Sequence, residues 1–295
     1  MPMHIAAAFV CLLLLALPTR ALATPGCPPE GWTQASLQQL KRDGFTSLST
    51  DRANALAPAL IACLNDPDPD LRDGIAYEAL SAWMRGSQLT PGTLRTLGTG
   101  LSQRLEAPDP QGFGRPFAAL VLAEVARTDR IAAWMTPAER AAMIERAATY
   151  LEGVRDYRGF QTGEGWRHGV AHGADWLMQL SLNPAIDHAQ RQRLLDAIGS
   201  QVMPGDHAYV FGEPERLATP VLILARGGLH DQAGWHAWLA TLASGLDGVE
   251  PAERNADWLT RRHNLRAFLM TLHLAASRSD DAGVRALLPG TEAAL

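Results

Sequence analysis

The chain has 295 residues, 47% of them hydrophobic and 19% charged, with a formal net charge of −5. That mild acidity excludes the basic footprint that non-specific nucleic-acid binding requires. Beyond the N-terminus no apolar run is long enough to span a membrane and no CxxC pair occurs, so a transmembrane segment in the mature chain and dithiol redox catalysis are not expected.

The first stretch reads as a secretory signal. An apolar run from Ile5 to Leu17 is bounded by Pro18 and Arg20 and followed by Ala21-Leu22-Ala23, the small-x-small pattern of a cleavage site. The run is too short to stay in a bilayer, and it has no polar face with which to lie in a protein surface. Cleavage after Ala23 would leave a single all-helical domain over residues 24–295. Because residues 1–23 hold Arg20 and no acid, it would move the formal charge from −5 to −6. The expected destination is the periplasm or the exterior. A lipoprotein is not expected, since Thr24-Pro25-Gly26 before Cys27 fits a lipidation box poorly. Cys11 leaves with the signal. Cys27 and Cys63 then form an even pair in an oxidising compartment, and a disulfide between them is expected to staple the mature N-terminus to an early helix.

Nearly everything after residue 34 has helical spacing. Gln34 to Asp43 predicts a short helix closed by Gly44, and Asp51 is placed to cap the next. Asn65-Asp-Pro-Asp-Pro-Asp70 breaks it, after which Leu71 to Met84 forms an amphipathic helix. This Asp-Pro-Asp turn looks like the one inside a HEAT-type helix pair. Thr90-Pro91 opens a helix to Leu105 with proline in the first turn. Ala107 to Pro116 reads as a loop, Pro116 to Arg127 as a helix, and Thr136-Pro137 starts another with Glu139 at cap-box spacing. Later helices are predicted over Asp187 to Gln201, Glu213 to Arg226, around Trp235 to Leu246, from Pro251 to Ser277, and from about Asp280. Short connections imply antiparallel packing, and the absence of a strict period argues against a uniform repeat array. The predicted fold is therefore all-α: antiparallel helix pairs in a curved, HEAT-like α/α superhelical array.

The chemistry concentrates between Asp156 and Asp175. A helix is predicted from Gly165 to about Leu182, on which His168, His172 and Asp175 stand at i, i+4 and i+7 and so share one face. Three readings are open. In one, the histidines are a buried polar network hydrogen-bonded to Asp175 and Asp156. In the second, His168 or His172 is a general base, Asp175 fixes its tautomer, and Arg158 clamps an anion. In the third, His168, His172 and Asp175 hold a divalent metal such as zinc, completed by Asp156, Glu164 or Glu213. Gly169 stands where a zinc protease carries its glutamate, and no GxSxG occurs, so neither metalloprotease nor acyl-enzyme chemistry is expected. No cofactor is assigned. Arg72-Asp73 and Glu213-Pro-Glu215-Arg216 are further charged clusters at helix starts; capping accounts for the acids, while Arg72 and Arg216 are in a position to reach the polar face. Arg262 and Asn264 are lesser candidates. Of the eight tryptophans, Trp166 is the candidate for a binding surface, and core packing is the default for the others.

Asp156-x-Arg158-Gly159-Phe160 followed by Gly165-Trp166-x-His168-x3-His172-x2-Asp175 resembles the hallmark of the DUF2785 family of uncharacterised bacterial proteins. The Leu71-Arg72-Asp73 helix and Glu215-Arg216-Leu217-Ala218 look like its other recurring blocks. Arg167 departs from the small residue expected there and adds a cation beside the site. The resemblance implies an all-helical protein and carries no activity or cofactor. Two functions follow as expectations. One is an exported protein whose concave polar site, with Asp156, Arg158, Glu164, Trp166, Arg72, Asp73, Glu215 and Arg216, binds a peptide, a glycan or a partner protein. The other is a hydrolase or lyase for a cell-envelope fragment with His168 or His172 as base.

Overall fold

The computed structural model of the protein describes residues 26–295, so the expected leader lies outside the described residues. The order is α1 (Gln34–Arg42), α2 (Thr50–Ala59), a 3-10 turn (Leu60–Asn65), α3 (Pro69–Leu71), a π-helical segment (Arg72–Tyr77) and α4 (Glu78–Arg85). Then come α5 (Pro91–Glu106), α6 (Gly114–Ile131), α7 (Pro137–Glu152), the two-residue strands β1 (Phe160–Gln161) and β2 (Gly165–Trp166), and α8 (Gly169–Ser181). The chain finishes with α9 (His188–Ser200), α10 (Glu213–Arg226), α11 (Gln232–Ser244), a 3-10 turn (Pro251–Glu253), α12 (Ala256–Ser277), α13 (Ala282–Arg285) and α14 (Leu288–Ala294). The protein is all-α apart from the small antiparallel hairpin.

Side-chain caps fix most boundaries. Thr136 and Glu139 form the expected capping box on α7: the Thr136 amide donates to the Glu139 carboxylate at 2.7 Å, and the Glu139 amide to the Thr136 hydroxyl at 3.2 Å. Ser49, rather than Asp51, caps α2. The long final helix starts at Ala256 behind Asn255, because Pro251 opens only a 3-10 turn. The expected Leu71–Met84 helix is interrupted by the π segment, which turns Arg72 wholly inward.

Consecutive helices pair, and the pairs stack in two layers. α4, α6, α8, α10 and α12 lie side by side as an inner layer, with α6 against α8 and α8 against α10 as its most extensive contacts. α5, α7 and α9 back them on the outside. α6 and α8 are the most deeply covered, and Trp83, Trp176 and Trp235 are fully buried, each removing on the order of 200 Å² from water. Close approach needs small residues at two places. A Cβ on Gly173 would lie 3.0 Å from Leu151, and one on Gly290 would lie 2.8 Å from Leu239. The expected disulfide joins Cys27 to Cys63, fastening the start of the described chain to the turn after α2. Among the described residues no helix is long and apolar enough to cross a membrane.

A buried network that periodicity does not reveal locks α6 to α7. Asp129 accepts from Arg140 Nε at 2.8 Å, from Asn183 Nδ2 at 2.9 Å and from the amides of Met135 and Trp134 at 2.8 and 3.0 Å. Burial pushes its carboxyl up, but Arg140 and the two amides outweigh that and hold it below the usual range.

Candidate functional site

The stretch from Asp156 to Asp175 does not form one helix. Residues 160–166 make the hairpin, with Phe160 opposite Trp166, and α8 begins only at Gly169. Gly163 and Gly165 take left-handed φ angles of +84° and +81°, which a side chain would strain. His168 itself is left-handed, at φ 58° and ψ 42°; a histidine accepts that conformation at a cost that the surrounding contacts must offset. Gly159 is required for another reason: a Cβ there would clash with the Phe211 ring.

Two guanidiniums hold this hairpin. Arg72 is 0% exposed. It donates to Asp73 at 2.7 Å, to the Asp66 carbonyl at 2.9 Å and across the molecule to the Glu164 carbonyl at 2.7 Å, and its guanidinium lies 3.9 Å from the Phe113 ring centre. Arg167 reaches the same ring at 4.1 Å, donates to the Gln111 carbonyl at 2.7 Å and pairs with Glu164 at 2.8 Å. The cation that looked like an addition to the site is therefore part of its frame. Burial is the main influence on Asp73 and pushes its carboxyl up, against the pull of Arg72.

The imidazoles and carboxylate meet different partners from those the spacing suggests. His172 is buried, its Nδ1 lies 3.1 Å from the Pro116 carbonyl, and its ring meets Phe117 edge-on at 5.3 Å. A carbonyl only accepts, so Nδ1 is assigned the proton and Nε2 the lone pair. Burial, reinforced by His168, Arg216 and Arg72, pushes its pKa down to about 3. His168 packs 5.9 Å away, centre to centre, and its Nε2 faces the buried Glu213 at 3.6 Å. Burial lowers its pKa too, with Glu213 pulling the other way. Asp175 hydrogen-bonds Arg216, whose Nε donates at 2.9 Å, rather than either imidazole. Burial raises its carboxyl against the effect of Arg216. The polar neighbours are thus Arg216 for Asp175 and, at a longer 3.6 Å, Glu213 for His168, with α10 supplying the second member of each.

The remaining candidates divide. Asp156 and Arg158 bind each other, Arg158 Nε to Oδ1 at 2.8 Å, and Arg158 also donates to the Gln111 carbonyl at 3.2 Å. Burial pushes the Asp156 carboxyl up, but Arg158 prevails and lowers it. This guanidinium is occupied rather than poised as a clamp. Glu215 is exposed in the first turn of α10 and joins none of these pairs. Asn264 is buried and accepts the Tyr209 amide at 2.9 Å, whereas Arg262 lies exposed beside Trp258. Glu213 as the His168 partner was not legible, because its place in a helix first turn explains an acid by itself.

His168, His172 and Asp175 offer poor donors for a shared metal. Their partners are Glu213, the Pro116 carbonyl and Arg216, on different sides of the stripe. Among the described residues no group of three His, Cys, Asp or Glu side chains is placed to hold an ion. What the cluster does present is aromatic. Trp166 stacks on His168 at 4.7 Å and 24°, and touches Phe160 at 5.2 Å and Phe211 at 5.8 Å. Trp166 and Phe160 remain 38% and 47% exposed. Beside α8, Arg216 keeps Nη1 without a partner among the described residues.

A cavity of about 620 Å³ lies behind this cluster, between α5 and α7. Asp156, Gly169 and Pro116 belong to its wall, so Pro116 separates it from His172. Of the predicted site residues, only Asp156 lines it.

A family described as protein of unknown function (DUF2785) matches residues 101–274. No curated protein and no solved structure matches the chain. The match spans α6 to most of α12, with the hairpin and the imidazole stripe inside it and the Leu71–Asp73 block outside. Since it covers more than half of the 295 residues, the chain belongs to the DUF2785 family.

Proposed function

We propose that this is an exported binding protein that takes a glycan or peptide fragment of the cell envelope on the hairpin and the adjoining inner face. The observation that carries it is the exposed Trp166–Phe160 pair, seated on His168 and Phe211. Flat aromatic surface held rigidly from below binds sugar faces and peptide side chains at little entropic cost. The free edge of Arg216 offers an orienting donor. Export is supported by the Cys27–Cys63 disulfide and by the signal-like run at the N-terminus. The alternative, a hydrolase or lyase using His168 or His172 as base, has less support. An imidazole that protonates only near pH 3 is a weak base, and the neutral His172 ring is committed to a carbonyl.

Calorimetric titration with soluble muropeptides and chito-oligosaccharides tests the reading. Saturable binding is expected, weakened about tenfold or more in Trp166→Ala, with the melting temperature essentially unchanged. Turnover of those fragments, abolished in His168→Gln, would instead establish the enzyme.

A further inference from the structure

The cavity between the end of α5 and α7 is lined by none of the aromatic platform's residues. Gly98 and Ser102 on α5 face Ala142 on α7 across a second opening of about 450 Å³ that shares Glu106 and Arg146 with the first. Small side chains leave the two outer helices apart, while α7 packs closely on α9.

The charges around the cavity are lopsided once existing pairs are assigned: among the described residues one lining carboxylate, Glu106, is in no ion pair, against three such arginines. Asp109 accepts the amides of Gly112 and Arg115 at 3.2 and 2.8 Å and faces Arg104 at 3.8 Å. Glu145 is held by Arg193 at 3.0 Å and Asp156 by Arg158. By contrast, Arg115, Arg146 and Arg155, which also line the cavity, have no carboxylate within ion-pair distance among the described residues. Arg115 uses only Nε of its side chain, on the Ala107 carbonyl at 3.1 Å, and Arg155 uses Nη1 on the Glu152 and Val154 carbonyls and also meets the Tyr157 hydroxyl. Arg146 makes no hydrogen bond there. Gly169, the first residue of α8, also faces the cavity, and that 13-residue helix has no side-chain cap, so its first-turn amides add positive potential. Tyr150 donates its hydroxyl to the Gly169 carbonyl at 3.3 Å. Leu105, Pro116, Ala142 and Val154 supply the apolar wall.

We propose that this cavity binds a small amphiphile carrying one oxyanion, a carboxylate or a phosphate, with the anion among Arg115, Arg146 and Arg155 and the apolar body against Leu105 and Val154. The volume falls in the range of small-molecule sites. Guanidiniums that no internal carboxylate neutralises recognise oxyanions through charge-assisted, often bidentate bonds.

The test is isothermal titration of the full chain with hexanoate and hexyl phosphate, with 1-hexanol as the uncharged control. Saturable binding near one per chain is expected for at least one of the two anions, and which of them binds identifies the headgroup. Hexanol should bind at least about tenfold more weakly, and Arg115→Gln/Arg146→Gln should reduce anion affinity by at least about tenfold. Both arginines are exposed and hold no buried partner, so the double variant should melt with the wild type. Trp166→Ala should leave anion binding unchanged, which separates this site from the platform. No saturable binding of either anion, equal binding of hexanol, or anion affinity unaltered by the double variant would overturn the proposal.

Discussion

Arg72→Ala is expected to destabilise the protein by about 3–5 kcal/mol, the usual range for removing one member of a buried charged network. In a chain of this size that lowers the melting temperature by roughly 6–15 °C. The side chain is fully buried, so truncation leaves a void beside Phe113 as well as an unpaired Asp73. It also removes the Arg72 bonds to the Asp66 and Glu164 carbonyls, each a charge-assisted hydrogen bond. The Glu164 bond joins the π segment to the hairpin across 92 residues of sequence. Arg72→Lys should recover little, because an ammonium cannot serve this fan of acceptors and lie flat on Phe113. Circular dichroism during heating checks it, and a change below about 1 kcal/mol would show that the guanidinium does not hold the hairpin.

The second large effect is on pH dependence. His172 carries a folded-state pKa of about 3, against about 6.5 in an unfolded chain. The unfolded state therefore binds more protons between those values, and stability falls as pH drops. The contribution is complete above about pH 6.5 and is progressively lost toward pH 3. From pH 7 to pH 5 this one group should remove about 2 kcal/mol. His168 and His230 are shifted down by burial and act in the same direction. Asp175 and Asp73 have the opposite sign, since burial raises them and their stabilisation is present at low pH and lost as pH rises through the raised value. Asp129 and Asp156, held low, lose stabilisation only as pH falls through the acid range. In His172→Phe the Phe117 contact survives but the Pro116 carbonyl loses its donor, costing about 1–3 kcal/mol at pH 7. The variant should thus be clearly weaker than the wild type at pH 7 and nearly equal to it at pH 5. Parallel denaturation midpoints at the two pH values would refute the assignment of that slope to His172.

Helix existence was legible wherever a local cap or proline marks it. Glu213–Arg226 and the Thr136–Glu139 start follow from residues within one turn. The hairpin was not legible, because two-residue strands have no alternation to read and its Glu164 carbonyl is held by Arg72 from another helix pair. The three glycines at 159, 163 and 165 were the available signal that the stretch is not helical. The polar residues were found, but their pairing was not. Asp175 and Arg216 lie 41 positions apart, and only the stacking of α8 on α10 brings them together. The cavity was not legible because its wall is assembled from α5, the 109–116 stretch, α7 and Gly169, which leaves no local motif.

The aromatic platform requires an uncharged imidazole stripe beneath it. Nitrogen-15 NMR of the histidine side chains across pH 4 to 8 measures this directly. The prediction is that the His172 ring keeps its proton on Nδ1 and stays neutral throughout, with His168 titrating below the ordinary imidazole range. A His172 resonance that protonates between pH 6 and 7 would contradict it and return the stripe to acid–base chemistry.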